Sequence, residues 1–145
     1  SRAKETLDII LETLGVKHLP TFENEALNER DYGNFTGQNK WEIEKKVGNE
    51  QFFKLRRGWD EPIPGGETLK DVYERVLLYY KEHILPKLLA GKNVLISAHG
   101  NSLRALIKYL ENISDQDIPD LELETGDVYI YKLDDKGRVV GKEVR

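Results

Sequence analysis

At 145 residues, 39% of them hydrophobic, the chain has the size of a single domain spanning residues 1–145 and enough apolar side chains for one core. Its 26 Asp and Glu against 22 Lys and Arg give a net charge of -4, which argues against nucleic-acid binding by general phosphate neutralisation and requires any anion to be held by local basic clusters. Cysteine is absent, the three histidines His18, His83 and His99 have no metal-ligand spacing, and no apolar run approaches the roughly 20 residues needed to cross a bilayer.

The expectation is therefore a soluble protein of the reducing cytoplasm, without a nucleic-acid or membrane partner, and the opening Ser1-Arg2-Ala3-Lys4-Glu5 does not read as a signal peptide. Ala3, Leu7, Ile10, Leu11 and Leu14 share one helical stripe, predicting a helix over residues 1–14 with Ser1 as N-cap and Gly15 at its exit. Residues 21–37 show no sustained apolar period and gather Asn, Asp, Gly and charged side chains, which predicts an irregular segment able to present groups to a ligand. Two short helices follow, over 41–47 and 50–57, separated by Gly48-Asn49. The run Pro62-Ile63-Pro64-Gly65-Gly66 breaks the chain before the longest helix. That helix starts near Thr68 with Asp71 as capping-box partner, carries Leu69, Val72, Tyr73, Val76, Leu77, Tyr80, Ile84 and Leu88 on its stripe, and ends near Gly91.

Residues 93–98 are short, continuously apolar and β-branched at two positions, predicting a buried strand of the parallel-sheet kind. His99-Gly100-Asn101 turns the chain at once into a helical pattern at Leu103, Leu106, Ile107, Leu110 and Ile113. Residues 128–133 and 139–144 read as two further strands around the turn Asp134-Asp135-Lys136-Gly137. The expected class is α/β, a layered domain with helices flanking a mostly parallel sheet.

Chemistry concentrates at Ala98-His99-Gly100-Asn101-Ser102, because a turn at the carboxyl end of a buried strand is where open α/β sheets bind ligands. The helix N-terminus offers N–H groups and partial positive charge, Gly100 allows close backbone approach, and His99 can donate to phosphoryl oxygens; capping of the helix is the competing role for His99. Glu29, within the irregular segment, could move a proton at a substrate hydroxyl while Arg30 and Tyr32 hold an anion, or the group could be an exposed, ion-paired loop. Arg56-Arg57 and Lys40 are equally open between a solvated face and a clamp for carboxylate and phosphate.

In order and spacing, Leu27-Asn28-Glu29-Arg30-Asp31-Tyr32-Gly33, Gly37-Gln38-Asn39-Lys40, Arg56-Arg57, Pro62-Ile63-Pro64-Gly65-Gly66-Glu67-Thr68-Leu69 and Ala98-His99-Gly100-Asn101-Ser102-Leu103-Arg104 resemble the successive motifs of bisphosphoglycerate-dependent phosphoglycerate mutases of the histidine phosphatase superfamily. The opening Ser1-Arg2-Ala3 resembles that family's Ser-Arg-Ala helix start, so the likeness runs from the first residue almost to the last. It implies interconversion of 3-phosphoglycerate and 2-phosphoglycerate in glycolysis and gluconeogenesis, through a phosphohistidine, primed by 2,3-bisphosphoglycerate, without a metal and in a homo-oligomer. It further implies Glu29 as general acid/base, Arg2 and His99 on the transferring phosphoryl group with the Gly100 and Asn101 backbone, and Arg30, Asp31, Tyr32, Lys40, Arg56 and Arg57 as holders of substrate.

One departure stands against these matches: the family's Arg-His-Gly, whose histidine carries the phosphoryl group, occurs nowhere in the 145 residues. His99 resembles the second, stabilising histidine. The resemblance therefore implies a chain without the first strand of the sheet, inactive alone, with a gap or an exposed edge in the sheet and residues 94–98 short of partners. A phosphatase of the same superfamily, with water as the acceptor, is the alternative activity, and an inactive anion-binding fragment the alternative of another class.

Overall fold

The computed structural model describes residues 2–145, so the N-cap expected at Ser1 lies outside the described residues. Helix α1 (Arg2–Thr13) stops where the stripe ends: Gly15 adopts φ +70, a left-handed conformation open to glycine, and Val16 donates to the Leu11 carbonyl. Leu11 is its buried residue, while Ile9 stays exposed. Irregular chain follows, with single 3-10 turns at Glu25–Leu27 and Gly33–Phe35. Helices α2 (Lys40–Val47) and α3 (Asn49–Arg57) are separated by Gly48 alone, and Asn49 joins α3 instead of the break.

Thr68 caps α4 (Leu69–Tyr79) in the expected box: its hydroxyl accepts the Asp71 N–H at 3.1 Å, and the Asp71 carboxylate accepts the Thr68 N–H at 2.8 Å. The long helix is not uniform. Pro86 has no N–H for the carbonyl four residues back, and the turn Tyr80–Ile84 widens into a π turn, with Leu85 donating to the Tyr80 carbonyl, before α5 (Leu85–Leu89). The stripe continues through this bulge. Leu69, Val72, Val76, Tyr80 and Ile84 pack against Ala105 and Leu106 of α6 (Gly100–Glu111) and against Ile118, forming the core. Burial of such side chains stabilises by about 1.5–3 kcal/mol each. Helix α6 ends at Asn112 in the left-handed region, φ 53, one residue short of the Ile113 that its apolar spacing includes.

The sheet differs from expectation. Among the described residues it is one antiparallel hairpin, β1 (Tyr129–Leu133) with β2 (Val139–Val144), pairing Tyr129 with Val144 and slipping at Lys132/Leu133. Tyr131 donates to Glu111 at 2.5 Å and Lys142 pairs with the same carboxylate at 2.6 Å, which ties the hairpin to the end of α6. The mostly parallel sheet is not formed. Residues 92–99 run without secondary structure, with Val94 and Ile96 against the core and Leu95 53% exposed, and make no ladder. A strand exists only through its partner, and none of the described residues supplies one here. Segment 92–99 still performs half of the expected task, since it delivers the chain from α5 across the core to the N-terminus of α6.

Candidate active site

The irregular segment acquires its shape by lying backbone to backbone against the Pro-Gly-Gly loop. Asn34 donates to the Pro64 carbonyl at 2.9 Å and Glu67 to the Asp31 carbonyl at 2.8 Å. The approach is close enough to require both glycines: a Cβ on Gly33 would lie 2.4 Å from the Pro64 oxygen, and one on Gly66 2.6 Å from the Asp31 oxygen. This contact fixes where residues 29–32 point.

Glu29 points to the N-terminus of α6. One of its carboxylate oxygens accepts the Arg30 N–H at 2.7 Å and the Asn101 N–H at 3.2 Å, so a negative group rests on the positive end of the helix. A Cβ on Gly100 would meet the other oxygen at 3.9 Å. His99, half-buried, is the N-cap residue of the same helix, and its N–H and carbonyl both bond to the Ser102 hydroxyl, at 3.2 and 3.0 Å. Glu29 and His99, 70 positions apart in sequence, thus share one helix terminus. The Asn101 side chain donates to the Tyr32 hydroxyl at 2.9 Å and accepts from Arg104 at 3.1 Å, so it is committed to positioning neighbours and not left free.

Beside this terminus opens a cleft of about 580 Å³ whose lining includes Glu29, Arg30, Asp31 and Tyr32 together with Arg2 of α1, Lys40 of α2 and Arg56 of α3. Four cations from four segments therefore converge despite the acidic net charge. Arg30 is 3% exposed, donates to the carbonyls of Glu67 at 2.6 Å and Leu55 at 2.9 Å, and keeps one buried guanidinium nitrogen without a partner. Burial pushes this guanidinium below its usual value, with Tyr32, Glu67 and Glu29 opposing the shift. An unpaired buried N–H group is costly, and this one belongs to a side chain among those that line the cleft. Asp31 is exposed, and its carboxylate accepts the Gly33 N–H at 2.8 Å, a turn bond.

Arg57 is not brought into this cleft. Its guanidinium donates to the Leu121 carbonyl at 3.3 Å and pairs with Glu122, facing away from its neighbour Arg56 as adjacent helix positions do. His99, Gly100 and Asn101 do not line this cleft; Asn101 is bonded to two of its lining residues, Glu29 and Tyr32.

Sequence reading passed over the polar side chains that hold the site. Buried Arg104 bonds to the carbonyls of Arg57, Ile118 and Leu121 as well as to Asn101, and burial followed by repulsion from Arg57 lowers its pKa to about 10. The Ser102 hydroxyl shares its proton between the carbonyls of His99 and Leu27, the latter at 3.1 Å, and Arg75 of α4 with Glu67 just ahead of that helix grips the same segment. The available signal was position: Arg104 and Ser102 are polar residues on the most buried helix, and Arg75 lies one residue from Val76 of the core stripe. No group of three His, Cys, Asp or Glu side chains that could hold a metal ion occurs among the described residues, and no helix there is long and apolar enough to cross a membrane.

Residues 1–143 match the family model of the histidine phosphatase superfamily, branch 1. Among curated relatives, the 2,3-bisphosphoglycerate-dependent phosphoglycerate mutase of Parvibaculum lavamentivorans is 51% identical over 144 residues, covering 99% of this chain and 69% of its own. The enzyme of the same name from Bradyrhizobium diazoefficiens is 52% identical over 142 residues, 98% and 69% respectively, and that from Beijerinckia indica subsp. indica 49% over 144 residues, 99% and 70%. With identity near one half along nearly its whole length, this chain belongs to the histidine phosphatase superfamily, on the side of its phosphoglycerate mutases.

Proposed function

We propose that the chain forms most of the substrate site of a 2,3-bisphosphoglycerate-dependent phosphoglycerate mutase, interconverting 3-phosphoglycerate and 2-phosphoglycerate. The observation that carries the reading is the meeting of Glu29 with the His99 helix terminus, at the edge of a cleft lined by Arg2, Arg30, Lys40 and Arg56. Phosphoryl transfer asks mainly for alignment and charge stabilisation, and a site of this kind supplies both. Glu29 gives and takes the proton at the substrate hydroxyl. Arg2 and His99, with the Gly100 and Asn101 backbone, stabilise the transferring group. Arg30, Tyr32, Lys40 and Arg56 hold carboxylate and phosphate, and Asp31 shapes the turn that presents Tyr32.

The fit to a bisphosphorylated primer rests on charge and on the orphaned nitrogen of Arg30: two phosphates and a carboxylate need several cations, and the cleft gathers them. When bound, 2,3-bisphosphoglycerate supplies the phosphoryl group for the acceptor histidine, which by resemblance belongs to the Arg-His-Gly motif that this sequence does not contain. No metal enters this reading. With a strand bearing that motif alongside, residues 92–99 would take their place in a mostly parallel sheet and residues 1–145 would form part of one domain, in a cytoplasmic homo-oligomer.

The test is made on a polypeptide that carries an Arg-His-Gly strand ahead of these residues. Supplied with 3-phosphoglycerate, it is expected to form 2-phosphoglycerate in a 2,3-bisphosphoglycerate-dependent manner and faster than it releases phosphate. Release of phosphate without 2-phosphoglycerate would transfer the assignment to the phosphatases. Arg56→Ala in the same polypeptide should weaken phosphoglycerate binding by about 1.5–3 kcal/mol, the usual worth of a charge-assisted hydrogen bond. Arg57→Ala should weaken binding less than Arg56→Ala does, because the Arg57 side chain lies outside the cleft and pairs with Glu122. A KM unchanged by Arg56→Ala would return that side chain to the solvated surface.

A further inference from the structure

Arg75 lies on α4, does not line the cleft that holds Arg2 and Lys40, and makes its hydrogen bonds to residues other than those of the α6 terminus. Its guanidinium is nevertheless divided between the segment that carries Glu29 and the carboxylate of Glu67. One terminal nitrogen donates to the carbonyls of Ala26 at 2.6 Å and Asn28 at 3.1 Å, and the other to the carbonyl of Glu29 itself at 3.3 Å. The remaining donors form a two-pronged ion pair with Glu67, at 2.8 and 2.9 Å. Glu67 closes the circuit: its carboxylate accepts the Asp31 N–H at 3.0 Å, its own N–H donates to the Asp31 carbonyl, and its carbonyl accepts from Arg30 at 2.6 Å. The backbone from residue 26 to residue 31 is therefore gripped on one side by Arg75 and Glu67, while on the other side the Glu29 carboxylate meets the Asn101 N–H and the Leu27 carbonyl meets Ser102.

We propose that Arg75, locked by its ion pair with Glu67, is a positioning residue for proton transfer by Glu29, a role that rests on the reading of Glu29 given above. Beyond the single 3-10 turn at Glu25–Leu27, the segment has no helix or strand to fix its peptide planes around Glu29. A guanidinium has five donors in a rigid fork and can hold three carbonyls and a carboxylate together, which the point charge of lysine cannot do. A shift of one peptide plane at residue 29 moves the carboxylate off the Asn101 N–H. Proton transfer is sensitive to such displacement, whereas the cations that bind substrate stand on other elements and stay in place.

The experiment uses the polypeptide with the Arg-His-Gly strand, in four forms: parent, Arg75→Lys, Glu29→Gln and the double variant. Arg75→Lys is expected to lower kcat roughly 10- to 100-fold with KM changed by less than about threefold. In the Glu29→Gln background the same substitution should cost almost nothing, because the group it positions is already gone. Glu67→Gln, which keeps shape and removes the ion pair, should reproduce the loss if Arg75→Lys proves too unstable by thermal melting. Equal losses in both backgrounds, a loss confined to KM, or no loss at all would overturn the proposal and leave Glu29 in its role. An undiminished kcat in Glu29→Gln alone would instead remove the reading of Glu29, and the role of Arg75 with it.

Discussion

Glu29→Gln, made in a polypeptide carrying the Arg-His-Gly strand, is expected to lower kcat about 100- to 10,000-fold, the usual range for loss of a general acid or base, while KM for 3-phosphoglycerate changes little. Glutamine retains the size of the side chain, and its amide oxygen can still accept the N–H groups of Arg30 and Asn101. The fold of the segment is thus kept and only the titratable proton is lost. Both states of a substrate hydroxyl need that proton, so forward and reverse reactions should fall together. Binding of phosphoglycerate should survive, since the cations of the cleft are untouched. A variant with the parent's kcat would assign the proton to another group and reduce Glu29 to a cap on α6.

The helices of this fold were legible because each had its own punctuation. Thr68 with Asp71, Gly48 and Gly15 mark helix ends by local chemistry, and the structure places them within a residue or two of expectation. The π turn at Tyr80–Ile84 was not legible from periodicity, since the stripe of α4 runs through it unbroken; Pro86 was the signal. The strand expected at 93–98 failed for a different reason. Its composition is that of a strand buried on both faces, but pairing is a property of two segments, and none of the described residues pairs with it. Composition reported the environment the segment is suited to, and backbone hydrogen bonding reported the environment present.

The site divides along the same line. Residues whose chemistry is local, Glu29 in its turn and His99 at a helix start, could be named from the sequence, and the fold brings them to one helix terminus. Which of two adjacent arginines faces the cleft could not be named, because it depends on the rotation of α3 against the segment around Leu121. Nor could Arg104, Arg75 and Glu67, whose partners lie between 3 and 49 positions away and are mostly backbone groups, invisible to any residue pattern.

The polypeptide of these 145 residues alone is expected to show no measurable mutase turnover. A route through a covalent phosphoryl-enzyme needs a nucleophile on the enzyme, and neither group at the α6 terminus serves. Glu29 is engaged as an acceptor of two N–H groups, and the ring of His99, whose backbone alone bonds to Ser102, has the stabilising role proposed above and not that of the phosphoryl carrier. The same chain carries a second deficit. The backbone of residues 92–99 lacks ladder partners and Leu95 is 53% exposed, a combination that favours association with any complementary strand. Mixing with a separate fragment bearing the Arg-His-Gly strand should therefore do two things at once: slow amide exchange over residues 92–99, and restore conversion of 3-phosphoglycerate in the presence of 2,3-bisphosphoglycerate. Slowed exchange without activity would mean that the strand docks while the site stays misaligned. Full turnover by the 145-residue chain alone, with its mass verified, would promote His99 to nucleophile and overturn the assignment of roles made here.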